Sequence, residues 1–345
     1  MLKNRSRLQR IALIFADMLG LYLSLLLILW FLTDEWLFFV NMFVSLMPGI
    51  FYLIPIGLII VLWLRSKHTF ILLLLPIITF CWLYIPAWMP RSVEPIDGTR
   101  LSLLTYNLRA SNTNTDALDE LLAKTDADIV SLQEVSVEIA DHVEANWADE
   151  YPYIIRFTVE DDPAYASQLT LLVTDVAQYS GRLLLSRYPI NDQEIVASSV
   201  GTTLYIRASI TIEEQEVTIY NVHLPPPLPD NSLFSTATRS QNLVTLLDSV
   251  PSEFVILIGD FNMSDQSNDY QSVTSQYTDV FRATQSGFGN TWANGNNLSP
   301  FLGFVPSIIR IDYIFVSNDI TPQSSQVLYE GVSDHYPVYA EVVIK

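Results

Sequence analysis

Three long apolar stretches, at about residues 11–32, 36–64 and 69–88, crowd the start of the chain and require surroundings unlike those of the rest. Roughly 20 apolar residues suffice for a helix to cross a bilayer, so each stretch is long enough to span. They are interrupted only by Thr33-Asp34-Glu35 and by Arg65-Ser66-Lys67-His68, and charge is so scarce within them that spans are favoured over the buried helices of a soluble domain. Lys3, Arg5, Arg7 and Arg10 precede the first stretch as they would a signal peptide, but its apolar part is too long and two more follow, so it reads as retained. The second stretch exceeds the length needed and carries Pro48, Gly49 and Pro55, which predicts a tilt or kink. Asp17 is the one acid inside a span.

Basic residues favour the cytoplasmic side, which assigns it to the N-terminus and to the Arg65/Lys67 turn. Three crossings then leave everything after about Pro90 extracytoplasmic. The expected organisation is a membrane domain over residues 1–90, a linker over 91–100 and a catalytic domain over 101–345. Pro90, Pro95 and Gly98 mark the linker, a short tether that holds the domain near the bilayer and its lipids.

From Leu101 onward there are 10 Lys/Arg against 32 Asp/Glu, a net charge of −22. Such a domain repels nucleic acid at long range. A small phosphorylated substrate is still compatible, because divalent cations invert the local field. The single cysteine, Cys81, precludes an internal disulfide.

The soluble part alternates short strand-like runs with a few helices. Leu118, Leu121, Leu122 and Thr125 have helical spacing between the Asn107 and Glu134 runs. Strands are expected at 183–190, 203–212 and 217–223, and a helix at about Ser235 to Ser249. Strands outnumber helices in mixed order, which predicts packed sheets flanked by helices.

The chemistry-bearing residues fall at the ends of these runs: Asn107, Glu134, His223, Asp260, Asn262, Asp312, Asp334 and His335. Mg²⁺ prefers oxygen ligands and is typically held by one or two carboxylates plus substrate phosphate, which makes Glu134 the foremost ligand candidate. In Gly259-Asp260-Phe261-Asn262 the glycine permits a sharp turn after a buried strand and sets an acid two residues from an amide. Asp260 suits orienting or deprotonating water, and Asn262 suits binding phosphate or metal without added charge. The same tetrapeptide also fits an ordinary Asx turn. His223 precedes a stiff Leu224-Pro-Pro-Pro227 segment, while His335 follows Asp334. A protonated imidazole there would stabilise phosphate charge or protonate a leaving oxygen. His68 and His142 receive no role. The apolar segment Phe301–Pro306 fits either a headgroup-touching loop or a core-facing strand edge.

The ordered series Thr-Tyr-Asn107, Leu-Gln-Glu134, Leu-Ser-Arg-Tyr-Pro-Ile190, Asn-Val-His223, Gly-Asp-Phe-Asn262, Thr291-Trp292, Arg310-Ile-Asp312 and Ser-Asp-His335 resembles the endonuclease/exonuclease/phosphatase superfamily over about residues 101–345. The resemblance implies an α+β fold, a four-layer αββα sandwich of the deoxyribonuclease I type, here preceded by three transmembrane helices. It implies that Asn107 and Glu134 hold Mg²⁺ or Mn²⁺ with Asp334 near the metal or water, and that Asp260 and Asn262 position water and phosphate. It further pairs Asp312 with His335 and sets His223 against the phosphate or leaving oxygen. Three spans followed by such a domain resemble the bacterial membrane-bound members associated with teicoplanin resistance, for which the implied substrate is a lipid-linked pyrophosphate. A membrane-tethered nuclease and a catalytically silent membrane scaffold are the competing expectations.

Overall fold

The computed structural model describes residues 5–33, 35, 37–109, 111–158, 181–197, 203–226, 237–295 and 307–345, which form two compact units: one of residues 5–89 with Gln266–Asn268, the other of the remaining described residues. The segment Phe301–Pro306, with Asp34 and Trp36, lies outside the described residues.

The N-terminal unit is helical: α1 (Arg7–Thr33), α2 (Phe38–Phe51), α3 (Ile54–Leu64) and α4 (Lys67–Tyr84). By length and composition, Arg7–Thr33 and Lys67–Trp88 could each cross a membrane. The stretch expected to cross once, tilted or kinked, over 36–64 is two helices bent by 53° between Phe51 and Ile54, a third candidate span if the pair counts as one. Pro55 explains the break, since it has no N–H for the Phe51 carbonyl and its ring occupies that carbonyl's space. Phe31, Leu62 and Trp82 are 88%, 75% and 73% exposed, an apolar exterior unsuited to water.

The second unit carries two six-stranded sheets. Its elements in chain order are β1 (Thr99–Asn107), α5 (Thr115–Thr125), β2 (Ile129–Val135), α6 (Val137–Asn146), β3 (Tyr153–Phe157), β4 (Gly181–Ser186), β5 (Ile190–Ala197), β6 (Thr203–Ile212) and β7 (Gln215–His223). There follow α7 (Ala237–Ser249), β8 (Val255–Asp260), α8 (Asn268–Thr274), β9 (Thr278–Asp279), α9 (Val280–Thr284), β10 (Asp312–Val316), β11 (Ile320–Val327) and β12 (Val338–Ile344). One sheet runs β11-β12-β1-β2-β4-β3 and the other β5-β6-β7-β8-β10-β9. Among the described residues only β1/β2 and β7/β8 pair in parallel, and each of these pairs is separated in sequence by a helix, as a parallel crossover requires.

Period-two alternation sorts the side chains into three cores. Leu101 and Leu103 of β1 face inward and meet Ile206, Ile219, Ile256 and Ile258 of the other sheet. Leu104 and Tyr106 face outward beneath Leu118, Leu122 and Ile139 from α5 and α6. On the far side, Val222 and Leu257 pack under Leu243 and Leu246 of α7. The result is helix, sheet, sheet, helix, with buried aliphatic side chains each contributing about 1.5–3 kcal/mol of transfer free energy.

Candidate active site

The same alternation that fills the inner core delivers the polar residues. On β7, Val217 and Ile219 face inward, and His223 occupies a later position of that parity. On β8, Ile256 and Ile258 lead to Asp260, and on β10, Asp312 precedes Ile314 and Val316. In register, His223 pairs with Asp260, and Asp260 with Asp312. Across the sandwich, Leu101 and Leu103 put Asn107 on the inner face of β1.

Glu134 breaks this pattern. Ile129 faces inward while Val130 and Leu132 face outward, so regular alternation would aim Glu134 away from the site. Glu134 instead has φ +51°, and the β2/β4 register shifts between Gln133 and Val135, the signature of a bulge. The redirected carboxylate accepts from Asn107 Nδ2 at 3.0 Å. That amide also donates to Asp260 Oδ2 at 2.9 Å, and its Oδ1 accepts from the Arg109 N–H at 2.9 Å. His223 Nε2 completes the group, 3.7 Å from Glu134 Oε1 and 3.7 Å from Asp260 Oδ2.

The Gly259-Asp260-Phe261-Asn262 segment differs from the expected glycine turn. Gly259 lies within β8, at φ +145°, where a Cβ would sit 2.0 Å from the Val222 carbonyl oxygen; it permits close approach of β7, not a turn. The turn is made by Asn262, at φ +50°, whose N–H donates to Asp260 Oδ1 at 2.8 Å. An Asx turn and a place in the site are therefore the same feature. Asn262 Nδ2 donates to Leu224 O at 2.8 Å and lies 3.3 Å from Asp260 Oδ2.

Asp312 and His335 form a buried pair, with His335 Nδ1 at 2.9 Å from Asp312 Oδ2 and 3.2 Å from Oδ1. His335 Nε2 is 3.9 Å from Asp260 Oδ2, too long for a hydrogen bond but close enough for charge. Thr291-Trp292 explains how residues far apart in sequence meet. Thr291 Oγ1 accepts from the N–H groups of Ile311 and Asp312, and Trp292 bridges both Ile309 and His335. Asp334 accepts from Ser333 Oγ at 3.3 Å, and its carbonyl accepts from the Asn294 N–H. Its carboxylate is not in the cluster that unites Glu134, His223 and Asp260, although its charge reaches His335. Elsewhere, His142 pairs with Asp119 at 2.9 Å on the outer face, and His68 lies 3.6 Å from Asp17.

Several positioning residues escape a motif-based reading. Tyr106 Oη, buried beneath the Ser333 loop, accepts from the N–H groups of Val332 and Ser333, and Gly331 passes so close that a Cβ would lie 2.5 Å from that oxygen. Arg239 on α7 is fully buried; it donates to Asp269 at 2.7 Å and to the Asn262 carbonyl at 2.8 Å. Arg182 Nη2 donates to the His223 carbonyl at 3.3 Å. Each reads in sequence as a core or surface residue because its partner is remote.

The electrostatics divide the two histidines. Burial, then the charges of Arg182 and His335, pull His223 down to about 3, so its close carboxylate contacts are those of a neutral ring. Burial also opposes a charged His335, but the charge and hydrogen bond of Asp312 outweigh it and push His335 up to about 10. Burial, then Asp312, pushes the Asp260 carboxyl up to about 8.

One oxygen of Glu134, one of Asp260 and a ring nitrogen of His223 lie within 4.8 Å of one another. This donor set fits a divalent cation. The raised Asp260 accords with this: burial and the neighbouring Asp312 outweigh the positive charge of His335 at 3.9 Å, and a cation would add the positive charge that favours the ionised carboxylate.

A family model described as "Endonuclease/Exonuclease/phosphatase family" matches residues 104–335. Among solved structures, a family protein from Bacteroides vulgatus is 19% identical with TM-score 0.56, covering 72% of this chain and 100% of its own. A mannosyl-6-phosphatase from Bacteroides thetaiotaomicron is 19% identical with TM-score 0.52, covering 71% and 100%. TDP2 from D. rerio, complexed with a single-strand DNA product, is 19% identical with TM-score 0.54, covering 71% and 99%. A search of curated proteins gave no match. At these identities the structural likeness establishes the fold.

Proposed function

The chain belongs to the endonuclease/exonuclease/phosphatase family, whose members hydrolyse phosphoester bonds, and from this premise we propose a membrane-anchored, divalent-metal-dependent phosphoesterase acting extracytoplasmically on a lipid-linked pyrophosphate. The observation that carries the proposal is the convergence of Glu134, His223 and Asp260 at the strand ends, beside the Asp312–His335 pair.

Glu134 and Asn107 would hold Mg²⁺ or Mn²⁺, with Asp334 near the metal or water. When bound, the metal supplies Lewis-acid polarisation of the phosphate and neutralises developing charge. Asp260 accepts a hydrogen bond from the attacking water and aims it at phosphorus, and Asn262 fixes Asp260 while presenting its amide to a phosphate oxygen. His335, kept protonated by Asp312, bears a proton at Nε2 for the phosphate or leaving oxygen. Neutral His223 contributes a hydrogen bond to the phosphate without adding charge to be desolvated.

The apolar N-terminal helices and the short tether support a lipid substrate, and the net charge of −22 after residue 100 disfavours DNA. The mannosyl-6-phosphatase and TDP2 show that one fold serves both sugar-phosphate and DNA chemistry, so the substrate must come from the site and its surroundings. The test is phosphate release by detergent-solubilised protein from lipid pyrophosphates, phospholipids, sphingomyelin, inositol phosphates and DNA, with Mg²⁺ or EDTA. Metal-dependent release from a lipid pyrophosphate, abolished by Glu134→Ala and by His335→Ala, is expected. Turnover of DNA alone would establish a nuclease, and ligand binding without turnover a scaffold.

A further inference from the structure

We infer that Asn221 and Gln133 form a cross-sheet clamp that positions Glu134 and His223 for metal and phosphate, an inference that rests on the function proposed above. The inner core is almost wholly aliphatic, yet at its catalytic end two amides meet across the sandwich. Gln133 Nε2 on β2 donates to Asn221 Oδ1 on β7 at 3.0 Å. Asn221 Nδ2 donates in turn to the carbonyls of Leu183 at 2.8 Å and Leu132 at 3.1 Å, both on the opposite sheet. Gln133 is held by Ser131 Oγ at 2.9 Å and by Thr105 Oγ1 at 3.3 Å. All four side chains are buried.

The placement gives the clamp its role. Gln133 immediately precedes the bulge that redirects Glu134, and Asn221 lies two residues before His223 on the same strand face. Glu134 and His223 come from different sheets, and aliphatic packing between sheets is non-directional, so it leaves their separation loosely specified. Directional hydrogen bonds beside both residues set the 3.7 Å approach of His223 Nε2 to Glu134 Oε1. Two polar amides in an apolar core would otherwise be a poor choice, since apolar side chains of similar volume fill such space without a desolvation cost.

The test measures Mn²⁺ affinity by calorimetry on the full chain in detergent, alongside thermal unfolding. Asn221→Leu removes the clamp, Gln133→Met removes only the glutamine's share at nearly constant volume, and Leu121→Ala in the outer core supplies a destabilised control remote from the site. All are measured well below the lowest unfolding temperature. Weakening of Mn²⁺ binding by on the order of 10- to 100-fold in the clamp variants, with Leu121→Ala binding as wild type, is expected. Should Asn221→Leu fail to fold, Gln133→Met carries the comparison. Wild-type affinity in the folded clamp variants, or equal weakening in Leu121→Ala, would overturn the clamp alone. Wild-type protein that binds no Mn²⁺, or Glu134→Ala that binds it unchanged, would overturn the underlying metal site and the clamp with it.

Discussion

Replacing Asp312 by asparagine should convert a pH-insensitive proton on His335 into one that is lost near neutrality. The Asp312 carboxylate stands 2.9 Å from His335 Nδ1 and provides the largest effects that raise this histidine to about 10 against the opposing effect of burial. An asparagine oxygen can still accept from Nδ1, so the ring keeps its orientation, while loss of the two largest raising effects lets burial bring the pKa down from about 10 toward the ordinary histidine value of about 6.5. At about pH 8.5 the wild-type ring is then almost fully protonated, whereas the variant ring is protonated in roughly 1 molecule in 100. If hydrolysis needs that proton, turnover falls about 100-fold at about pH 8.5, equivalent to roughly 2.7 kcal/mol, and recovers about tenfold for each unit of acidification down to near pH 6.5. The assay is the pH dependence of kcat for both proteins on the preferred substrate at saturating Mg²⁺. Parallel wild-type and variant profiles between about pH 6 and 9, whatever the absolute loss, would refute the role given to the His335 proton.

Three further outcomes are expected. Asp260, pushed up to about 8, binds a proton more tightly folded than unfolded, so its contribution to stability is complete below about 3.8 and is lost as pH rises through about 8; unfolding in EDTA should show this loss, and Mg²⁺ or Asp260→Asn should remove it. Gly259→Ala forces a Cβ to within 2.0 Å of the Val222 oxygen at φ +145° and should cost about 2–5 kcal/mol, while Gly287→Ala, with nothing within 4 Å, should cost only about 1–2 kcal/mol of backbone strain; thermal unfolding compares them. Tyr106→Phe strips the half-buried Val332 and the buried Ser333 N–H groups of their acceptor and should cost about 2 kcal/mol, with kcat falling as the His335 loop loosens.

Much of the site was legible because β-strand periodicity is simple. Once Val217 and Ile219, or Ile256 and Ile258, are recognised as inward, the parity of His223 and Asp260 follows without a structure. Glu134 was legible as a residue but not as a geometry, because a bulge inverts its parity and nothing in Leu-Gln-Glu announces one. Gly259 suggested a turn because local sequence shows glycine's freedom and not the neighbouring Val222 carbonyl. The kink expected from Pro48, Gly49 and Pro55 is a complete break, located by the Phe51 carbonyl that Pro55 cannot satisfy. Tyr106, Arg239 and Asn221 stayed hidden for one reason: their partners lie on remote segments, at Ser333, Asn262 and Leu183.

The most direct test of a divalent-metal centre at the strand ends is anomalous scattering at the manganese edge from crystals of the full chain equilibrated with Mn²⁺. A peak within bonding distance of the Glu134 carboxylate, absent from Glu134→Ala crystals, is the expected result. No peak, or one elsewhere on the acidic surface that survives the substitution, would contradict it.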